Sequence, residues 1–329
     1  MMPGGRQEAW NLLKPIFQQI AAKAPDASPC CEWMGNGGSG HFVKMVHNGI
    51  EYADMQVICE AYDLMRKVYC LTPLQIAAVF REWNEEKLSS YLVQISADIL
   101  QAVDAEGAHL VEQIVDAAGQ KGTGKLTVSC SLEYGTCASV IAEAVYARIL
   151  SAGKKERTLA AEIYGHSSGE AHEFTLEAKK QLRDAVYASK MIAYSQGFML
   201  LQQASKQNEW KLDFQSIAAI WRGGCIIRSV FLNRITEAFA SNAQLNNLLF
   251  DNFFVHEVRE CMNGWRKCVV NATLNAISIP AISSSLAFFD GFTSSSLPMN
   301  LLQAMRDYFG AHTVQLQGDP GVSVHLRWG

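Results

Sequence analysis

Along most of this chain apolar residues recur every three or four positions, the period of an amphipathic helix rather than the alternation of a strand. From Gln7 to about Lys23, Trp10, Leu13, Ile16, Phe17 and Ile20 fall on one side. A longer helical pattern runs from His41 to about Lys67, roughly 40 Å at 1.5 Å per residue. Thr72 caps a further helix that opens with Pro73 at its first position. The same period predicts helices over Ser89–Ala102, His109–Ala118, Leu126–Ser151, Glu173–Lys206, Phe214–Phe239, Leu245–Ile277, Ser283–Phe289 and Asn300–Phe309. Pro25 and Pro29 punctuate a loop, and Cys30–Met34 reads as a short strand. After Gly310 the chain carries Gly318, Pro320 and Gly321, has no helical period, and reads as an extended arm. The pattern predicts a mainly-α protein.

Two stretches resemble one another. Gln75-Ile76-Ala77-Ala78-Val79-Phe80-Arg81 resembles Ser216-Ile217-Ala218-Ala219-Ile220-Trp221-Arg222, and Tyr52 and Tyr194 precede them at nearly equal distances. A duplicated helical arrangement explains this, as does chance matching between helices rich in Ala and Ile.

Composition narrows the function. The 329 residues suffice for one large domain or two ordinary ones, and 49% hydrophobic with 18% charged residues is a globular profile. A net charge of −4 without a Lys/Arg run argues against nucleic acid as a partner but leaves room for a local anion pocket. Nine cysteines form no C-x-x-C pair, which points to reduced thiols in the cytoplasm and shows no zinc spacing. No apolar run reaches the roughly 18 residues of a membrane span, and Met1–Gly5 lacks the pattern of a signal peptide.

Two glycine-rich segments imitate nucleotide motifs. Gly35-Asn36-Gly37-Gly38-Ser39-Gly40 fits G-x-G-x-x-G, yet a dinucleotide site also needs a second strand with an acidic residue about 20 positions on, where this chain stays helical. Gly119-Gln120-Lys121-Gly122-Thr123-Gly124-Lys125-Leu126 approaches a P-loop, but Leu126 replaces the magnesium-binding hydroxyl and a helix replaces the preceding strand. Two lysines and a glycine-rich entry to a helix still make an anion site, or an ordinary interhelical loop.

Lys44, His47, Asn48, Glu51 and Tyr52 stand at i, i+3, i+4, i+7 and i+8, on one helix face. Phe42, Val43, Met45, Val46 and Ile50 around them belong to a buried helix. Unpartnered buried polar groups cost roughly 2–7 kcal/mol each by transfer estimates, so a polar stripe here points to a wet cavity or a polar ligand. A solvent-facing stripe with a Lys44–Glu51 pair fits the same spacing, and the residues alone leave both readings open.

Gly40–Met65, which includes His-Phe-Val-Lys-Met-Val-His-Asn-Gly-Ile-Glu-Tyr, resembles the signature helix of the 6-phosphogluconate dehydrogenases. So do Gln120–Lys125, Trp221-Arg222-Gly223-Gly224-Cys225-Ile226-Ile227-Arg228 and Arg306-Asp307-Tyr308-Phe309-Gly310-Ala311-His312-Thr313, in family order. The resemblance implies oxidative decarboxylation of 6-phosphogluconate to ribulose 5-phosphate with reduction of NADP, without a metal. It matches Lys44 to the base for the carbon-3 hydroxyl and Glu51 to the acid that protonates carbon 1. His47 and Asn48 match sugar-acid ligands, and Tyr52, Lys121, Thr123 and Arg148 match phosphate ligands. Arg306 and His312 match groups reaching the substrate from the second subunit of a homodimer with exchanged tails. A lysine must be neutral to act as a base, which nearby cations and burial favour.

The resemblance also implies a division: 1–36 as a remnant αβ unit of an NADP-binding Rossmann domain, 37–300 as the all-helical substrate-binding and dimerisation domain, and 301–329 as a C-terminal helix and tail. The cofactor-binding residues are not among the motifs. Val324-His325-Leu326-Arg327-Trp328 departs from the family's Thr-Asn-Trp-Thr-like ending. A non-enzymatic relative that keeps the sugar-phosphate pocket and the dimer is the alternative.

Overall fold

In the computed structural model, which describes residues 1–165 and 172–328, helices follow one another in the order the apolar period anticipates. They are α1 (Gln7–Ile20), α2 (Ser39–Lys67), α3 (Pro73–Asn84), α4 (Tyr91–Gln101), α5 (Leu110–Gln113), α6 (Thr123–Glu133) and α7 (Ser139–Ala152). After α8 (Lys154–Tyr164) come α9 (Leu176–Gln207), α10 (Phe214–Ile220), α11 (Phe231–Ser241), α12 (Asn252–Leu274), α13 (Pro280–Phe292) and α14 (Met299–Gly310). The strands β1 (Val314–Leu316) and β2 (Asp319–Val324) close the order. The chain forms two compact units, Met1–Leu286 and Ala287–Gly329.

The core of the first unit is built on its two longest helices. In α2, Val43, Val46, Ile50, Ala53, Val57, Ala61 and Leu64 recur at helical spacing and are buried. Helix α9, capped by the Thr175 hydroxyl on Ala178 N–H (3.1 Å), is buried on nearly all sides from Leu182 to Ser205. It packs against both α2 and α12, which is why it lacks a polar stripe. Between them lies a buried ion pair, Lys190 of α9 with Asp54 of α2.

The two similar stretches occupy α3 and α10, where Ile76, Ala77 and Phe80, and Ile217, Ala218 and Trp221, are all buried. The segments that follow pair with each other: Tyr91 N–H donates to Arg228 O (3.0 Å) and Val230 N–H to Ser89 O (3.1 Å). Reciprocal pairing of equivalent segments fits a duplicated arrangement.

The start of α3 agrees with its predicted cap. Thr72 and Gln75 form a reciprocal capping box on α3, and Ser90 caps α4. Several predicted spans need correction. The expected Leu126–Ser151 helix begins at Thr123 and breaks after Glu133, where Gly135 takes φ +64° and Thr136 N–H returns to Ser131 O (2.8 Å), a glycine C-terminal turn. The expected Phe214–Phe239 helix unwinds at Gly223-Gly224; Gly224 has φ +64°, and a Cβ on Gly223 would lie 2.7 Å from Lys23 O. The Leu245–Ile277 span is divided by a 3-10 turn, Leu248–Phe250, with Asp251 capping α12. Only Leu110–Gln113 of the His109–Ala118 helix forms. Helix α8 escaped notice because none of its residues is buried.

Cys30–Met34 is not a strand: Met34 N–H bonds Pro3 O (2.8 Å), and an isolated bridge joins Lys23 to Pro29. In the second unit the predicted arm folds back as an antiparallel hairpin, Val314 opposite Val324 and Leu316 opposite Asp319, with a register irregularity after Gln315.

Candidate functional site

The stripe on α2 is graded from open to buried. Lys44 is exposed, Asn48 and Glu51 are half-buried, and His47 and Tyr52 are buried. The His47 ring stands edge-on to Trp221, centroids 5.4 Å apart, so the loop after α10 forms its wall. Burial first, then the Lys44 charge, push His47 down to about 3, against the Asn48 bond. His47 is therefore a neutral hydrogen-bonding group and not an acid–base catalyst near neutrality.

Its Nδ1 lies 3.2 Å from Lys44 Nζ and 3.0 Å from Asn48 Oδ1. One ring nitrogen carries either a proton or a lone pair. Nδ1 therefore either accepts from Lys44 Nζ or, as Nδ1–H, donates to Asn48 Oδ1.

Burial raises the Glu51 carboxyl above its ordinary range, opposed by the Lys44 and Arg148 cations and helped by Asp54. A carboxyl so placed holds a proton more readily than an exposed one, as a general acid requires. Asp54 itself is tied to Lys190 in the buried pair.

At the next turn the Arg148 guanidinium of α7 lies 3.6 Å from the centre of the Tyr52 ring. It donates to Gly119 O (3.2 Å), fastening the 119–122 loop. Gly122 has φ +93°, and α6 opens at Thr123 with no side-chain cap. Leu126 N–H is the first helical donor, to Gly122 O. The loop that Arg148 fastens carries the exposed Lys121 and leads directly into the N–H groups ahead of that donor, the positive end of the helix. A Cβ on Gly124 would lie 2.5 Å from Tyr52 Cδ2, so only glycine lets α6 approach this ring. Tyr52, Lys121, Thr123 and Arg148 thus belong to one neighbourhood beside the Lys44–Glu51 face.

Arg306 and His312 lie in the second unit, both exposed. Arg306 donates to Gln303 (3.1 Å), and the His312 ring stands 6.0 Å from that of Phe309.

Clefts of about 450 Å³ beside Gln202 and Lys206, and about 360 Å³ beside Lys87 and Arg234, are lined by other residues. Residue types did not reveal Trp221 as the wall of His47, or the Asp54–Lys190 pair. A lone lysine inside the apolar run of α9 was the available signal for the latter.

The described residues do not fit a dinucleotide. They contain no parallel sheet, and the G-x-G-x-x-G segment is closed by the chain's own first residues: a Cβ on Gly40 would meet Met2 O at 2.2 Å. Gly35 and Gly40 thus serve close packing. Nor do the described residues gather three or more His, Cys, Asp or Glu side chains for a metal, and no helix among them is long and apolar enough to cross a membrane.

A family model described as 6-phosphogluconate dehydrogenase, C-terminal domain, matches residues 40–328. The decarboxylating 6-phosphogluconate dehydrogenase of Ceratitis capitata is 51% identical over 329 residues, covering 100% of this chain and 68% of its own length. The enzyme of the same name from Homo sapiens is 49% identical with the same coverage. The solved Plasmodium falciparum 6-phosphogluconate dehydrogenase, described in apo form and in complexes with its cofactor NADP+ and its substrate 6-phosphogluconate, superimposes with TM-score 0.96 at 42% identity. That match covers 99% of this chain and 70% of the Plasmodium chain. The class is therefore that of a mainly helical sugar-acid dehydrogenase domain. The chain belongs to the 6-phosphogluconate dehydrogenase family.

Proposed function

We propose that this chain binds 6-phosphogluconate on the α2 face and supplies the proton-transfer groups for its oxidative decarboxylation. The observation that carries the reading is the adjacency of a half-buried carboxyl with a raised proton affinity, Glu51, to an exposed lysine, Lys44, beside a cationic edge. The substrate's phosphate sits on Tyr52, Lys121, Thr123 and Arg148; His47 and Asn48 orient the sugar acid. Lys44, in its neutral form, takes the carbon-3 hydroxyl proton. A bound NADP would supply the acceptor for the hydride of that carbon, and the described residues offer no fold to hold it. Carbon dioxide then leaves the 3-keto acid, whose carbonyl accepts the electron pair, and Glu51 delivers a proton to carbon 1 of the resulting five-carbon enediol to give ribulose 5-phosphate.

Residues 1–36 belong, in this reading, to the coenzyme-binding domain; the exposed Leu12, Ile16 and Ile20 of α1 support a further layer there. Residues 37–300 then form the substrate-binding and dimerisation domain, and 301–329 a tail. Arg306 and His312 come from the partner subunit, completing the site. Nine unpaired cysteines support a cytoplasmic setting.

Calorimetry on the protein of residues 1–329 tests the substrate. It binds 6-phosphogluconate, and Lys121→Ala or Arg148→Ala each weakens binding by about tenfold or more, the scale of a charge-assisted bond. No heat of binding at millimolar ligand would overturn the reading. The same protein with NADP and 6-phosphogluconate forms no reduced nicotinamide, because its described residues lack the fold that sets the reacting atoms about 3–3.5 Å apart. Turnover comparable to a full-length relative would reveal a coenzyme site within these residues.

A further inference from the structure

Asp307 sits between Arg306 and Tyr308 on α14, and its side chain is 0% exposed. Among the described residues, four donors meet it. Oδ1 accepts from Thr313 N–H (2.8 Å) and His325 Nδ1–H (2.9 Å). Oδ2 accepts from Leu326 N–H (3.0 Å) and Trp328 Nε1–H (3.0 Å). A carboxylate only accepts, so His325 carries its proton on Nδ1. Burial opposes ionisation of Asp307, yet the bonds from Leu326, His325, Trp328 and Thr313 hold its carboxyl well below the usual carboxylate range.

These bonds meet at a strained turn. Ala311 and Thr313 are non-glycine residues with φ +46° and +63°, a conformation that persists only where the surroundings impose it. His312 lies between them. The Thr313 N–H is held by Asp307 and its C=O by Gln303 Nε2 (2.6 Å); Gln303 also accepts from Arg306. Gly310 leaves room for the imidazole, since a Cβ there would lie 2.8 Å from His312 Cδ2.

We propose that Asp307 is a positioning residue: one buried carboxylate fastens the returning tail to α14 and imposes the turn that sets His312 relative to Arg306. His325 and Trp328 of the returning tail are two of the donors to this carboxylate. The inference rests on the reading of Arg306 and His312 as substrate-binding groups.

The test is Asp307→Asn, nearly isosteric, which sets an amide N–H against donors that need an acceptor. Hydrogen–deuterium exchange of peptides spanning 311–328 reads the turn and the tail. Exchange there rises by about tenfold or more, while α2 and α9 keep wild-type protection. Affinity for 6-phosphogluconate falls by about tenfold, the worth of a bond to a charged group. His312→Ala added to Asp307→Asn lowers affinity little further, because both remove one interaction; a merely structural role gives independent losses.

Wild-type exchange in Asp307→Asn, or additive losses in the double variant, would overturn the proposal. If wild-type protein binds no 6-phosphogluconate, or His312→Ala and Arg306→Ala bind as wild type, the substrate reading fails, and the positioning role fails with it. The exchange arm would still report the anchor. Should Asp307→Asn not fold, Trp328→Phe combined with His325→Ala removes two of the donors, and unchanged exchange at Thr313 and Leu326 in that double variant counts against the proposal.

Discussion

Gly124 and Tyr52 show how closely one position controls the candidate site. Gly124→Ala would set a Cβ 2.5 Å from the Tyr52 ring, which also carries the Arg148 guanidinium at 3.6 Å. The ring and the guanidinium must shift together, so the variant loses about 1–3 kcal/mol of stability, as overpacked cores do. Its affinity for 6-phosphogluconate falls with the displaced cation. Thermal unfolding and calorimetry check both, and a variant unchanged in both would show that α6 can yield. The types and spacing of Lys44, His47, Asn48, Glu51 and Tyr52 were legible in the sequence. The gradient from exposed Lys44 to buried His47 was not, because it depends on Trp221, distant in sequence and brought against His47 by folding.

At the scale of elements, Glu60 ties α2 to the start of α13. Its carboxylate accepts from Ala281 N–H (2.8 Å) and Ile282 N–H (2.9 Å), the position where a helix favours an anion. Burial nevertheless pushes it up to about 7, against those two bonds and the one from Gln56. A carboxyl whose folded value is raised stabilises the fold fully below its unfolded value, and that contribution is lost as pH rises through the folded value. Stability should therefore decline from about pH 5 to about pH 8, by about 3 kcal/mol at most. Glu60→Gln should flatten the decline, followed by chemical denaturation across that range. A wild-type curve rising over this interval, or a variant with the same slope, would contradict the assignment. The start of α3, capped by Thr72, was readable in advance. The breaks at Gly135 and Gly223-Gly224 were not, because apolar residues continue across them and only the packing partners demand the turn.

For the whole molecule, α14 exposes Leu301, Met305, Tyr308 and Phe309, an apolar face that a second copy would cover. A homodimer is expected by sedimentation at micromolar concentration. Substituting Met305 and Phe309 by Ser should shift it toward monomer without loss of helicity, and a wild-type monomer with intact helices would remove the basis for sharing Arg306 and His312 between subunits. The sequence by itself determined the helical class, through the 3.6-residue period, and the family, through motifs long enough to exclude coincidence. It also determined which side chains can move protons or hold an anion, since that follows from residue type. Only the tertiary structure decided that the G-x-G-x-x-G segment packs against Met2–Gly4, that burial raises Glu51 while silencing His47, and that Asp307 gathers the tail. Each of these turns on contact between residues far apart in the chain, where desolvation and steric exclusion act, and no local pattern records such contacts.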